Sequence, residues 1–146
     1  MADELRITRG PSKGGAPAAR RRDATAEEVE GWVRTAAAAA AAKSDADVVV
    51  LQVGEVLGLC DWFVICSGRN ARQVRSIAEE VEHLVAEDDG PRPRRIEGLS
   101  EAEWVLLDYG DIVVHVFADE ARRFYDLERL WADVPRLDLD LDLEPS

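Results

Sequence analysis

Two periods run through the apolar positions of the chain, and each predicts its own elements. Thr25-Ala-Glu-Glu28 has capping-box spacing, and Val29, Trp32, Val33 and Ala36 follow it at i, i+3, i+4 and i+7. Seven alanines extend that helical face to about Lys43. Asp47 then precedes VVVLQV, a β-branched run that predicts a strand, and Gly54 and Gly58 break the chain behind it. DWFVICS, 61–67, is apolar on both faces, as a central strand would be. Asn70-Ala-Arg-Gln73 is a second cap. Behind it Val74, Ile77, Ala78, Val81, Leu84 and Val85 share a helix face about 120° wide, and DDGPRP ends that helix. RRIEG predicts a short edge strand. Trp104–Asp108 and Asp111–Phe117 predict a hairpin around Tyr109-Gly110, where glycine supplies a positive φ. Ala121, Phe124, Leu127 and Trp131 mark a last helix that stops before Pro135. The order α-β-β-α-β-β-β-α predicts a single α/β (α+β) domain, a mixed sheet of about five strands with flanking helices.

Charge narrows the possible partners. The formal charge is −12 and the pI about 4.6. Residues 1–23 are basic and rich in Gly, Pro and Ala, and predict a disordered tail. Residues 137–146, LDLDLDLEPS, are acidic and predict a loose end. Between them, 24–136 hold 23 acidic and 12 basic residues, so the acidity belongs to the folded domain. Such a surface repels phosphate backbones and anionic lipid, which argues against nucleic acid as the main contact and favours a basic protein surface. No apolar run of about 18 residues predicts a membrane span, and the N-terminus lacks the apolar stretch of a secretory signal. Cys60 and Cys66 on one extended strand would sit roughly 20 Å apart, too far for a disulfide and wrongly spaced for zinc. Two unpaired thiols point to a reducing compartment, and a cytoplasmic protein is expected.

The stretch WVLLDYGDIVVHVF, 104–117, puts polar chemistry inside an apolar hairpin. Asp108 and Asp111 flank the turn. Paired carboxylates can hold a metal or move protons, but Asp also favours turns by accepting backbone hydrogen bonds, and no histidine, cysteine or further acid motif converges on them in sequence. His83 falls opposite the apolar stripe of its helix and is expected in solvent, whereas His115 alternates with Val113 and Phe117 and reads as a structural histidine. Ser67-Gly68, between a strand and a helix, could cradle phosphate, yet no GxGxxG or GxxxxGK[ST] accompanies it. A nucleotidyltransferase would also want Asp-x-Asp on a strand, and that spacing downstream occurs only at Asp138, Asp140 and Asp142 in the tail. No catalytic residue, metal or cofactor is therefore expected. Trp104 and Tyr109 at element ends, ringed by Glu97, Glu101, Glu103, Asp108 and Asp111, have the pattern of aromatic anchors inside an acidic rim. The competing view packs Trp104 in the core.

DVVVLQV, DWFVICSGRNARQVRSIAEEVE, EG, WVLLDYGDIVVHVF and RRFYDLERLW, in this order and spacing, resemble the ribosomal silencing factor (Iojap-like) family from about Ala26 to Trp131. The resemblance implies a nucleotidyltransferase-like topology without its active site. It also implies a non-enzymatic factor that binds the large ribosomal subunit through that subunit's fourteenth protein. There it would block joining of the small subunit and lower translation under nutrient limitation. Free members of the family can be homodimers. The partner-facing role carries over onto Trp104, Leu106, Asp108 and Tyr109, and further onto Glu97 and Asp111. A nucleotide-handling enzyme on the same kind of sheet is the alternative.

Overall fold

Both helix caps form as their residue types allow. In a computed structural model that describes residues 24–139, the backbone N–H of Glu28 donates to Thr25 Oγ1 at 3.0 Å, and that of Thr25 donates to Glu28 Oε1 at 2.9 Å. This reciprocal box starts α1, Ala26–Lys43. The chain divides into two compact units within that helix, Met1–Glu30 and Gly31–Ser146, and the described part of the first is the box and the opening turns of α1.

The second unit continues α1 and adds the sheet. In chain order come β1 (Val49–Gln52), α2 (Gly54–Leu57), β2 (Trp62–Gly68), α3 (Ala71–Glu87), β3 (Arg95–Glu97), β4 (Trp104–Asp108), β5 (Ile112–Ala118), α4 (Asp119–Tyr125) and α5 (Leu127–Leu130). Asn70 caps α3 by accepting from Gln73 N at 2.9 Å. From Gly31 onward α1 runs antiparallel to α3. The indole N–H of Trp32 donates to the Asp88 carbonyl at 3.1 Å, and Gln73 Nε2 donates to the Lys43 carbonyl at 2.9 Å.

The five strands lie in the order β1-β2-β5-β4-β3. Only the central pair, β2 with β5, is parallel; every other pairing is antiparallel. All seven residues of β2 are buried, as a strand apolar on both faces requires. Period 2 then sorts the side chains. Val50, Val64, Cys66, Val105, Leu107, Val114 and Val116 point to the face that carries α3. Leu51, Phe63, Ile65 and Phe117 point to the other face and pack with Ala121, Leu127, Trp131 and Val134 from the C-terminal segment. Among the described residues, no helix is long and apolar enough to cross a membrane.

Three sequence expectations need correction. The hairpin turn is Gly110-Asp111, because Tyr109 N donates to the Ile112 carbonyl at 2.8 Å and so belongs to the ladder. Gly110 takes the positive φ of 94° at the first central position, the place a two-residue turn of this kind reserves for glycine. The last helix is two short ones, broken at Asp126 with φ 49°, a left-handed conformation that Asp tolerates better than most residues. Phe124, before the break, is exposed and is not a core residue, whereas Leu127 and Trp131 after it pack on the core. The C-terminal segment is also tied down further than expected. Gln52 N donates to the Pro135 carbonyl and Leu137 N to the Val50 carbonyl, covering the outer edge of β1. The predicted tail at 1–23 and residues 140–146 lie outside the described residues.

Candidate functional site

The C-terminal helices cover one sheet face only as far as β5. Beyond them β4 and β3 leave a strip half open, and cross-strand register decides what lines it. Glu97 pairs with Leu106, and Leu106 with His115; in the next row Arg95 pairs with Asp108, and Asp108 with Val113. Trp104 lies opposite Phe117 at the end of the strip nearest α4. Trp104, Leu106 and Asp108 are each half-buried, while Val105 and Leu107 between them are fully buried on the opposite face. An apolar surface with a charged boundary results, and Glu97, exposed at its outer edge, is paired with Arg95 Nε at 3.2 Å.

Trp104 is held from several sides. Its indole N–H donates to His115 Nδ1 at 3.1 Å, and its rings lie 4.8 Å from Phe117 and 4.8 Å from Tyr125. Accepting at Nδ1 means that the neutral imidazole carries its proton on Nε2. His115 is buried beside Phe63, with ring centroids 4.6 Å apart, and burial lowers its pKa to about 4. It is a neutral acceptor at neutral pH. The two views of Trp104 therefore combine: one edge of the indole is fixed in the aromatic cluster, and the rest meets solvent.

The Asp108 side chain, at the hairpin mouth, is only 13% exposed. Its Oδ1 accepts from Gly110 N at 2.8 Å, closing an Asx turn, and Oδ2 lies 3.6 Å from Arg94 Nη2 and 3.8 Å from Arg95 Nη2. This carboxylate ties the turn to the edge strand as well as bounding the strip. Tyr109 is a clearer correction. The one-residue shift of the turn puts it on the face of Val105 and Leu107, and it is 2% exposed rather than an anchor at the tip. Burial, with Glu82 nearby, raises its pKa. Asp111 occupies the turn, half-buried, and its carbonyl accepts from Asp61 N and Trp62 N, fastening the hairpin to the start of β2. The fold thus brings together Trp104, Leu106, Asp108 and Glu97, and sends Tyr109 elsewhere.

The positions weighed for catalysis have structural duties. Ser67 is buried, and Arg122 Nη1 donates to its hydroxyl at 3.0 Å and to the Asp47 carbonyl at 2.8 Å. The remaining Arg122 donors meet both carboxylate oxygens of Glu128, at 3.1 and 3.0 Å, and these hydrogen bonds lower the Glu128 pKa. A guanidinium–carboxylate pair therefore stands where Ser67-Gly68 would have held a phosphate. Cys60 and Cys66 are buried free thiols, which desolvation pushes up to about 11 and about 12. His83 is exposed and lies 3.1 Å from Glu87. Asp138 is described, whereas Asp140 and Asp142 lie outside the described residues. Among the described residues, no group of three or more His, Cys, Asp or Glu could hold a metal ion.

The sequence profile of a family described as "Ribosomal silencing factor during starvation" matches residues 25–146. The chain belongs to the ribosomal silencing factor family. It is 40% identical over 111 residues to the ribosomal silencing factor RsfS of Bacillus subtilis, covering 76% of this chain and 93% of that one. A solved structure from Chromobacterium violaceum superposes with a TM-score of 0.67 at 31% identity, over 71% of this chain and 86% of that one. The mouse protein named mitochondrial assembly of ribosomal large subunit protein 1 is 34% identical over 89 residues, 58% of this chain and 38% of its own length. In this silencing factor, residues that sequence reasoning did not assign to the surface complete the strip. His115 orients Trp104, Arg94 and Arg95 hold Asp108, and Tyr125 extends the aromatic surface. The alternation of His115 with Val113 and Phe117 was the available signal for the first, since it sets the ring on one face of its strand.

Proposed function

We propose that this silencing factor binds the large ribosomal subunit through the strip of Trp104, Leu106, Asp108 and Glu97, and acts without catalysis. The contact is the fourteenth protein of that subunit, on the face where the small subunit docks. Its occupation blocks subunit joining and lowers translation when nutrients are limiting. The observation that carries this is the half-open apolar strip on an acidic domain, which suits the basic, partly apolar surface of a ribosomal protein. Family membership and the name of the mouse relative point to the same partner class. The place of action is the cytoplasm, and the free protein self-associates as a homodimer, which analytical ultracentrifugation tests. Co-sedimentation with purified large and small subunits, followed by light scattering of subunit mixtures, tests the whole proposal. The chain should pellet with large subunits only and suppress the scattering rise on joining. Equal recovery in both subunit peaks would refute it.

A further inference from the structure

Beyond Trp104 the surface continues into a groove of about 480 Å³ between the start of β4 and α4, lined by Glu103, Ala118, Glu120, Ala121, Phe124 and Tyr125. We infer that this groove receives one basic side chain, a lysine or an arginine, of the protein that the strip engages; the inference rests on the proposed function and extends its surface.

Three observations carry it. First, the lining holds two carboxylates and no base, and among the described residues neither the Glu103 nor the Glu120 carboxylate has a hydrogen-bond or ion-pair partner; Glu103 is held by its backbone alone, its carbonyl accepting from Ala118 N at 2.8 Å. Secondly, Phe124 is 80% and Tyr125 50% exposed, a large aromatic outlay for a seven-residue helix. Their rings stand edge to face at 5.0 Å, so a cation over either face would gain from the ring quadrupole while the carboxylates take its hydrogen bonds. Thirdly, the groove is continuous with the strip, because Tyr125 lies 4.8 Å from Trp104. The helix dipole accounts for Glu120 in the first turn of α4, but not for Glu103 on the loop or for Phe124 in water. Ala118 and Ala121 leave room for the aliphatic stem of a long basic side chain.

The test uses the full chain and purified large ribosomal subunits, with affinity measured at several salt concentrations. Three variants are compared with the parent: Glu103→Gln/Glu120→Gln, Phe124→Ala and Glu120→Lys. Circular dichroism confirms folding, which these exposed positions should not disturb. The double glutamine variant should bind about tenfold more weakly at low salt and show a flatter salt dependence. Phe124→Ala should lose about tenfold with the parental salt dependence, and Glu120→Lys should lose more than the neutral change. Parental affinity in folded Phe124→Ala and double glutamine proteins would overturn the inference while leaving the proposed function standing. Failure of the parent chain itself to bind large subunits would remove the proposed function first. If Phe124→Ala instead separated a dimer of this chain and bound subunits as the parent does, the groove would belong to a second copy, and the inference would fall.

Discussion

Replacing Asp108 by alanine removes three interactions of one half-buried carboxylate, and their sizes can be taken in turn. The hydrogen bond from Gly110 N, at 2.8 Å to a charged acceptor, is worth about 1.5–3 kcal/mol. The contacts to Arg94 and Arg95, at 3.6 and 3.8 Å from two well-exposed guanidiniums, add about 0.5 kcal/mol together after screening. Asp108→Ala should therefore lose about 2–3 kcal/mol, or roughly 8–12 °C in thermal midpoint for a domain of this size. Asp108→Asn keeps an oxygen facing Gly110 and should lose about 1 kcal/mol. Asp108→Arg should be the least stable, since it sets a third guanidinium beside Arg94 and Arg95. Urea titrations with parallel thermal melts measure all three. An alanine variant within about 2 °C of the parent would show that the carboxylate does not hold the turn. The asparagine variant is then the proper probe of binding, because weaker binding by the arginine variant would mix lost contact with lost fold.

The low pKa of His115 makes stability depend on pH. The unfolded ring takes up a proton near pH 6.5 and the folded ring only near 4, so stability is full above about 6.5 and falls as pH drops through that window, by about 3 kcal/mol in all. Urea titrations at pH 7, 6 and 5 would show the decline, and equal midpoints would refute the buried neutral ring. Gly98 has φ 87°, and a Cβ there would run into the Trp104 carbonyl, so Gly98→Ala should cost about 2 kcal/mol or more and shift the indole N–H resonance of Trp104. An unchanged NMR spectrum would count against that close approach. Leu106→Ser should fold and yet bind large subunits at least about tenfold more weakly; parental binding would move the surface off this strip.

Elements with a full period behind them were legible in the sequence, down to both caps and the central strand. Positions decided by a single residue of register were not. Tyr109 changed faces because the turn began at Gly110 and not one residue earlier, and Tyr109-Gly110 and Gly110-Asp111 look equally turn-like in a list of residue types. Phe124 has helical spacing to Leu127 in the sequence, but the left-handed Asp126 ends the helix between them, and Leu127 packs on the core while Phe124 stays in solvent. Asp108 showed its type but not its partners, because Arg94 and Arg95 reach it through the pairing of β3 with β4. Trp104 and Leu106 share a face by the period 2 of β4, which is visible locally, whereas Glu97 comes beside Leu106 only through the pairing of β3 with β4.

The parallel seam between β2 and β5 bears on how the chain reaches this fold. Trp62 and Ile112 are neighbours across it, yet about fifty residues separate them along the chain, whereas the β4–β5 hairpin closes over two. Loop closure over fifty residues carries a length-dependent entropy cost of about 3.5 kcal/mol before any contact offsets it, which the two-residue hairpin turn largely avoids. On loop length alone the hairpin should form first and the seam close later, after α3 has carried the chain across. Until then the edge of β5 holding Ile112, Val114 and Val116 lies bare, and the chain is most open to sticking to its own kind. Substitutions along the seam should act mainly by hastening unfolding, and those in the hairpin by delaying folding.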